Sequence, residues 1–377
     1  MWERHSRRDR RGGNAAPTTQ VSIIAMPDIT DEIVQQIHTA IEEKKQLNII
    51  GGNSKAFYGR APHGDPLHIA QHTGIVNYEH TELVVTARAG TTLEDIERAL
   101  DANHQMLPFE PPHFGPGATI GGAIACNLSG PRRPYSGAAR DYVLGVRMIN
   151  GKAEVLRFGG EVMKNVAGYD VARLMAGAMG TLGVLLDVSF KVLPKPADEL
   201  TLVQDAKPAE AIETMNQWAG RPIPLSATAY VDGKLYVRLS GTGSAVQAAG
   251  AHIGGDMVAD AGGFWRNLRE HRLPFFEHAV SLWRVSVPQN APPLVLPGDW
   301  LIEWGGGLRW LTTDESPGRI RDVARAAGGH ATLFRGGDRG QDVFHPLART
   351  VAVLHQRLKH AFDPHHVFNP GRLYADF

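Results

Sequence analysis

The sequence is short of cysteine, of net charge and of long apolar runs, and each shortage closes off a class of protein. Cys126 is the sole cysteine in 377 residues. That excludes a disulfide framework, and it excludes an iron–sulfur or zinc centre ligated by cysteines of this chain. A reducing, cytoplasmic setting is the expectation. Lysine plus arginine equals aspartate plus glutamate at 39 each, so no overall field calls for nucleic acid. No apolar run approaches the ~20 residues that cross a bilayer, which leaves peripheral membrane association at most. Both familiar nucleotide loops, G-x-x-x-x-G-K-[ST] and G-x-G-x-x-G after a first strand, are missing.

What is present is glycine and proline, 42 and 24 of them, dispersed along the chain. That suits many tight turns in a chain long enough for two domains. Residues 1–25 carry Arg4, Arg7, Arg8, Arg10 and Arg11 without an apolar core segment, and read as a disordered tail. Ile33, Val34, Ile37 and Ile41 then recur at helical spacing over 31–45. Ile49 and Ile50 read as a strand end, followed by Gly51-Gly52-Asn53-Ser54-Lys55. Glycines at such a turn let backbone approach a ligand, and the amides with Ser54 and Lys55 form a nest for an anion. Residues 91–104 predict a helix, with Thr91 and Glu94 as its capping box.

The passage 107–141 is read as turn-rich loop, because "GATIGGAIACNLSG" consists almost entirely of small residues. Gly121, Gly122, Ala123, Ala125 and Gly130 leave room for something flat to lie on main chain, and Thr119, Asn127, Ser129 and Ser136 add short polar groups. "GAMGTLGV" (177–184) repeats the device with Gly180 and Gly183. Three such loops point to a long ligand in several parts. Residues 200–330 alternate as β-α-β-β-α and then a similar rhythm, the pattern of a separate antiparallel α+β domain.

The stretches "GGNSKAFYGR", "ATIGGAIACNLSGPRRPYSGAARDYVLG", "AGAMGTLGVL" and "VFNPGR", in this order, resemble the vanillyl-alcohol-oxidase type of flavoprotein. That family has the FAD-binding fold of p-cresol methylhydroxylase, and within it the likeness is to the E subunits of bacterial glycolate oxidases. The likeness covers roughly 26–377 and is weakest over 200–325. It implies an α+β protein: a two-subdomain FAD-binding domain over 26–198, a smaller antiparallel cap over 199–330, and a C-terminal segment, 331–377, returning to the FAD domain. It implies FAD as cofactor. Gly51, Gly52, Asn53, Ser54 and Lys55 match the loop around the FAD pyrophosphate. Pro111 matches the turn before the flavin pocket. Thr119, Gly121, Gly122, Asn127, Ser136, Gly137, Arg140 and Asp141 match the second FAD motif. Gly180, Gly183 and Val184 match the turn near the adenosine half, and Asn369 and Arg372 the C-terminal return to the flavin edge.

The resemblance further implies oxidation of a 2-hydroxy acid, glycolate to glyoxylate, beside a second flavin subunit and an iron–sulfur subunit that carries electrons away. That chemistry needs a carboxylate clamp, for which Arg132, Arg133, Arg335 and Arg372 are candidates, and a base, for which Tyr169 and His345 are candidates. Lys164 and Asn165 are candidate supports of the flavin edge. The H-x-G-D-G-x-x-H metal motif of relatives that act alone is missing, and Asp363, His365 and His366 read as structural, so no metal is expected. His113 and Cys126, the candidates for covalent attachment, fall in no linkage pattern, which favours non-covalent FAD. A non-catalytic assembly subunit and a free-standing flavin oxidoreductase of another small hydroxy acid or alcohol remain the alternatives.

Overall fold

The computed structural model describes residues 28–160, 169–277 and 280–377; the arginine-rich start, Lys164 and Asn165 lie outside them. Two antiparallel sheets dominate. The first has five strands, in the order Ile75–Glu79, Val84–Arg88, Val184–Lys191, Val143–Ile149, Val155–Gly159. Its central strand Val184–Lys191 is buried almost throughout, as a strand covered on both faces must be. Beside it Leu47–Ile50 pairs in parallel with Asp65–His68. The helix Thr30–Glu42 turns Ile33, Ile37 and Ala40 into the same core, which is the periodicity its sequence announces.

The second sheet has eight strands: Asp256–Met257, Asp198–Asp205, Lys234–Gly241, Leu225–Val231, Asp299–Glu303, Leu308–Thr312, Ser281–Ser286 and His330–Gly336. Strand residues alternate between faces, and here the two faces have different neighbours. Ile302, Tyr230 and Val237 meet the helix Pro208–Ala219 through Ile212, Met215 and Trp218. Trp283, Val285 and Leu311 meet Ile320 and Ala324 of the helix Pro317–Ala326. Leu282, Leu301, Trp310 and Phe334 form the other face, in one apolar cluster with Tyr58, Leu128 and Met179 of the first half. His330–Gly336 is the edge strand of this sheet, pairing with Ser281–Ser286, so the sheet runs past the expected boundary at 330. The helix Arg349–Phe362 and the residues after it return to the first half.

Two local readings are corrected. The helix Leu93–Asp101 is capped by Thr92, whose Oγ1 accepts from the Asp95 amide at 3.1 Å; Thr91 instead binds the backbone of Gly74. And "GATIGGAIAC" is not a loop. Ile120–Cys126 is a helix, with Thr119 as N-cap accepting from the Gly122 amide and Asn127 left-handed at its end. Its residues are small because it lies directly on the sheet: a Cβ on Gly121 would sit 2.6 Å from that of Ala89. Close packing supplies the helix energy that large apolar side chains supply elsewhere.

Candidate functional site: a cleft of small residues and unpaired cations

The parallel strand Leu47–Ile50 ends in a cleft that encloses about 1000 Å³ open to solvent, the size of a large ligand site. Its walls come from all three small-residue segments. The loop Gly51, Gly52, Asn53, Ser54, Lys55 forms one side, with Asn53 left-handed. Thr119, Gly121, Gly122, Ala125 and Cys126 of the short helix form the floor, and Met175, Ala178, Met179, Gly180 and Gly183 the far wall. Asn369 and Arg372 close it from the C-terminus.

The C-terminal residues hold these walls in register. Asn369 Oδ1 accepts from the Ile49 amide at 2.7 Å, while its Nδ2 donates to the Met179 carbonyl at 2.6 Å. Arg372 donates to the carbonyls of Ala56, Tyr58 and Arg60. Behind them Lys359, buried in the helix Arg349–Phe362, donates to Thr181 O, Phe368 O and Asp363 Oδ2, each within 2.8 Å. Asp363 in turn accepts from the Val367 and Phe368 amides. Asp363 is thus structural and wholly buried. Lys359 escaped the sequence reading; an i,i+4 Lys–Asp pair on a helix reads as a solvated surface pair, and only the fold buries it.

Charge in the cleft is one-sided. Lys55 is 7% exposed, and among the described residues its Nζ donates to Ser54 Oγ and His113 O alone, both at 3.3 Å. Burial pushes its pKa down. Burial does the same to Arg372. Among the described residues neither cation has an ion-pair partner. Buried cations without carboxylates are costly, so two of them at a cleft edge fit a ligand that brings its own negative charge. Together with walls in which glycine and alanine leave open space, they fit FAD: a flat ring system joined by a diphosphate. Cys126 is held as the neutral thiol by burial, and His113 Nε2 is engaged by Glu97 at 3.1 Å.

The remaining expected residues are placed differently. Pro111, Asn127, Ser136, Gly137, Arg140, Asp141 and Val184 do not line the cleft. Their polar groups bind the local backbone: Ser136 Oγ donates to Pro108 O at 2.7 Å, Asn127 Oδ1 accepts from the Arg140 amide at 3.2 Å, and Asp141 Oδ2 accepts from the Ala138 amide at 2.8 Å. Val184 is core. Tyr169 is 98% exposed, and His345 Nδ1 accepts from the Ala331 amide at 3.4 Å, beside the edge strand; the structure brings neither to the cleft. Arg132 is committed to Glu110 and Glu199. Arg133 lies 4.5 Å from the Trp304 ring. Arg335 lies over Phe57 and Phe114, at 4.8 and 5.7 Å.

The comparisons with known proteins bear on the family, the cofactor and the fold. The family described as FAD binding domain matches residues 21–159. Glycolate oxidase subunit GlcE of Escherichia coli (strain K12) is 51% identical over 349 residues, which is 93% of this chain and 98% of that one. Glycolate oxidase subunit GlcD of Bacillus subtilis (strain 168) is 31% identical over 182 residues, 48% of this chain and 38% of that one. Among solved structures, p-cresol methylhydroxylase with substrate bound superposes with a TM-score of 0.71 at 16% identity, covering 93% of this chain and 88% of that one; at that identity the likeness is one of fold.

Proposed function

The chain belongs to the family of glycolate oxidase GlcE subunits, and from that premise we propose that it is the FAD-binding subunit of a glycolate oxidase complex. It is an FAD-dependent oxidoreductase acting on a CH–OH group, oxidising glycolate to glyoxylate. The observation that carries this reading is the near full-length identity to GlcE, joined to a cleft rich in small residues whose cations, among the described residues, have no ion-pair partner. The FAD domain would comprise the five-stranded half with the C-terminal return, and the eight-stranded sheet would be the cap.

When bound, FAD supplies the redox chemistry, taking the hydride equivalent of the alcohol carbon. The chain supplies the rest. Lys55 and Arg372 would neutralise the diphosphate, Gly51 to Ser54 would give it amides, and Gly121, Gly122, Ala125 and Gly180 would leave room for flat rings. FAD would be held without a covalent bond, since the Cys126 thiol is protonated and His113 is occupied. With one cysteine the chain has no cysteine cluster of its own for iron–sulfur. Electrons would therefore leave to an iron–sulfur subunit, in a complex that also contains a second flavin subunit of the GlcD type.

The visible spectrum of the purified chain tests the cofactor, and anaerobic glycolate, added with and without the GlcD-type partner, tests the reaction. A bound-flavin spectrum that bleaches in the complex is the expected result. A colourless chain that takes up no FAD overturns the cofactor reading. Flavin in this chain that never bleaches, even in the complex, makes it an assembly subunit.

A further inference from the structure

The eight-stranded sheet faces a second hollow, distinct from the cleft. Counting the space open to solvent it measures about 360 Å³; Phe114, Leu128, Trp304, Trp310 and Phe334 wall it, with Arg269 also on its lining. Strand alternation aims two charged-type side chains into it. Arg284 follows Leu282 by two residues and Glu303 follows Leu301 by two, so both share the face of the apolar cluster. Register brings them together: Arg284 and Leu301 both pair with Trp310.

The third polar group is His271, nine-tenths buried, after the helix Ala261–Arg269. Its ring stacks on Phe276 at 4.0 Å and meets Trp310 edge-on at 4.5 Å. Among the described residues its Nδ1 has no hydrogen-bond partner. Glu303 Oε1 accepts from Trp310 Nε1 at 2.6 Å. Among the described residues Arg284 makes no hydrogen bond or ion pair; its guanidinium lies 5.2 Å from the Trp304 ring. The buried orphan ring nitrogen is costly without a ligand, and the half-buried guanidinium beside it is uncommitted. The hollow is smaller than the cleft, a size that suits a ligand of a few non-hydrogen atoms rather than a nucleotide. It also adjoins the cleft: Phe114 packs on Phe57 at 5.4 Å, two residues beyond Lys55.

We propose that this hollow binds a small 2-hydroxy carboxylate, with Arg284 taking the carboxylate and His271 Nδ1 accepting the hydroxyl hydrogen. The proposal rests on the function given above for its choice of substrate class. Arg284 offers an uncommitted cation for the carboxylate and His271 Nδ1 an acceptor for the hydroxyl; Arg269, on the same lining, is already paired with Glu270, and the aromatic walls strengthen both contacts. Arg335, over Phe57 and Phe114, adds positive charge at the wall shared with the cleft.

The test is calorimetric titration of the full chain with glycolate, before and after addition of FAD, with flavin content read separately at visible wavelengths. Wild type binds. Arg284→Met binds about tenfold or more weakly, and Arg284→Lys recovers part of the loss. His271→Gln, the second variant should Arg284→Met fail to fold, weakens binding about tenfold. Flavin content stays that of wild type in all three. Equal glycolate affinity in wild type and the variants overturns the site, as does an FAD-loaded wild type that gives no heat at millimolar glycolate; neither touches the FAD assignment. A chain that takes no FAD yet binds glycolate through Arg284 keeps the hollow and sinks the flavin reading instead.

Discussion

Lys55 and Arg372 are buried at the cleft against backbone carbonyls, whereas Arg132 and Arg238, buried in the contact between the halves, meet Glu110 and Glu199. Both pairs of cations have left water, yet only the second has its charge matched by the protein. The walls differ in the same sense. Around the cleft glycine and alanine leave open space beside Ile49, Met175 and Met179, whereas Arg132 and Arg238 are packed against Ser240, Ser226 and the Trp265 ring. Residues that join the halves balance their own charge and fill their own volume. Residues that receive a ligand leave both incomplete.

The comparison breaks first at Glu110, where the largest effect is expected. Glu110→Gln leaves Arg132 and Arg238 short of their carboxylate and costs about 3 kcal/mol or more of stability. It leaves FAD affinity of the folded chain unchanged. Chemical denaturation with a parallel FAD titration reads both; a fall in FAD affinity alone would erase the contrast. Lys55→Met is the converse. Loss of one charge-assisted contact weakens FAD about 10- to 100-fold. The melting temperature of the cofactor-free chain holds or rises, because the substitution removes a buried cation with no partner. A large drop in that melting temperature would show that Lys55 serves the fold.

The smallest expected effect is one of slope. Burial raises the Glu303 carboxyl to about 7, against Arg284, which lowers it, while Glu110 adds to the rise. Between the ordinary carboxylate range and pH 7 the folded chain therefore holds a proton that the unfolded chain has lost. Stability falls as pH rises through that window, and the penalty is complete above it. Asp187, Glu199 and Glu270, whose pKa values are lowered, tilt the curve the other way, so the measurement is a difference. Melting of wild type minus Glu303→Gln, from pH 5 to 8, should decline; a flat difference would mean that Glu303 is already ionised at pH 5.

A substitution at Gly52 makes a poor probe of the cofactor. The sequence offers its glycine as room for a ligand, but a Cβ there would fall 1.6 Å from the Gly117 carbonyl oxygen. Gly52 is small because two loops touch. Lys55, whose side chain fills no such contact, separates binding from folding better.

Much of this protein follows from local chemistry alone. Helical spacing at Ile33 and Ile37, the strand before Gly51, the Gly180 turn and the β-α-β-β-α rhythm after 198 are each set by neighbours within a few residues, and so was the ordered run of small-residue segments that points to FAD. Tertiary structure decided what depends on distant partners. Ile120–Cys126 is a helix only because a sheet lies against its glycines. Lys359 is buried because the fold sets it against Thr181 O, 178 residues away, and Phe368 O. His271, Arg284 and Glu303 read singly as ordinary surface chemistry; one sheet face and its aromatic cover make them a site. Propensity and turn geometry act along the chain, whereas burial, desolvation and the matching of charge act across it, and the fold alone sets those distances.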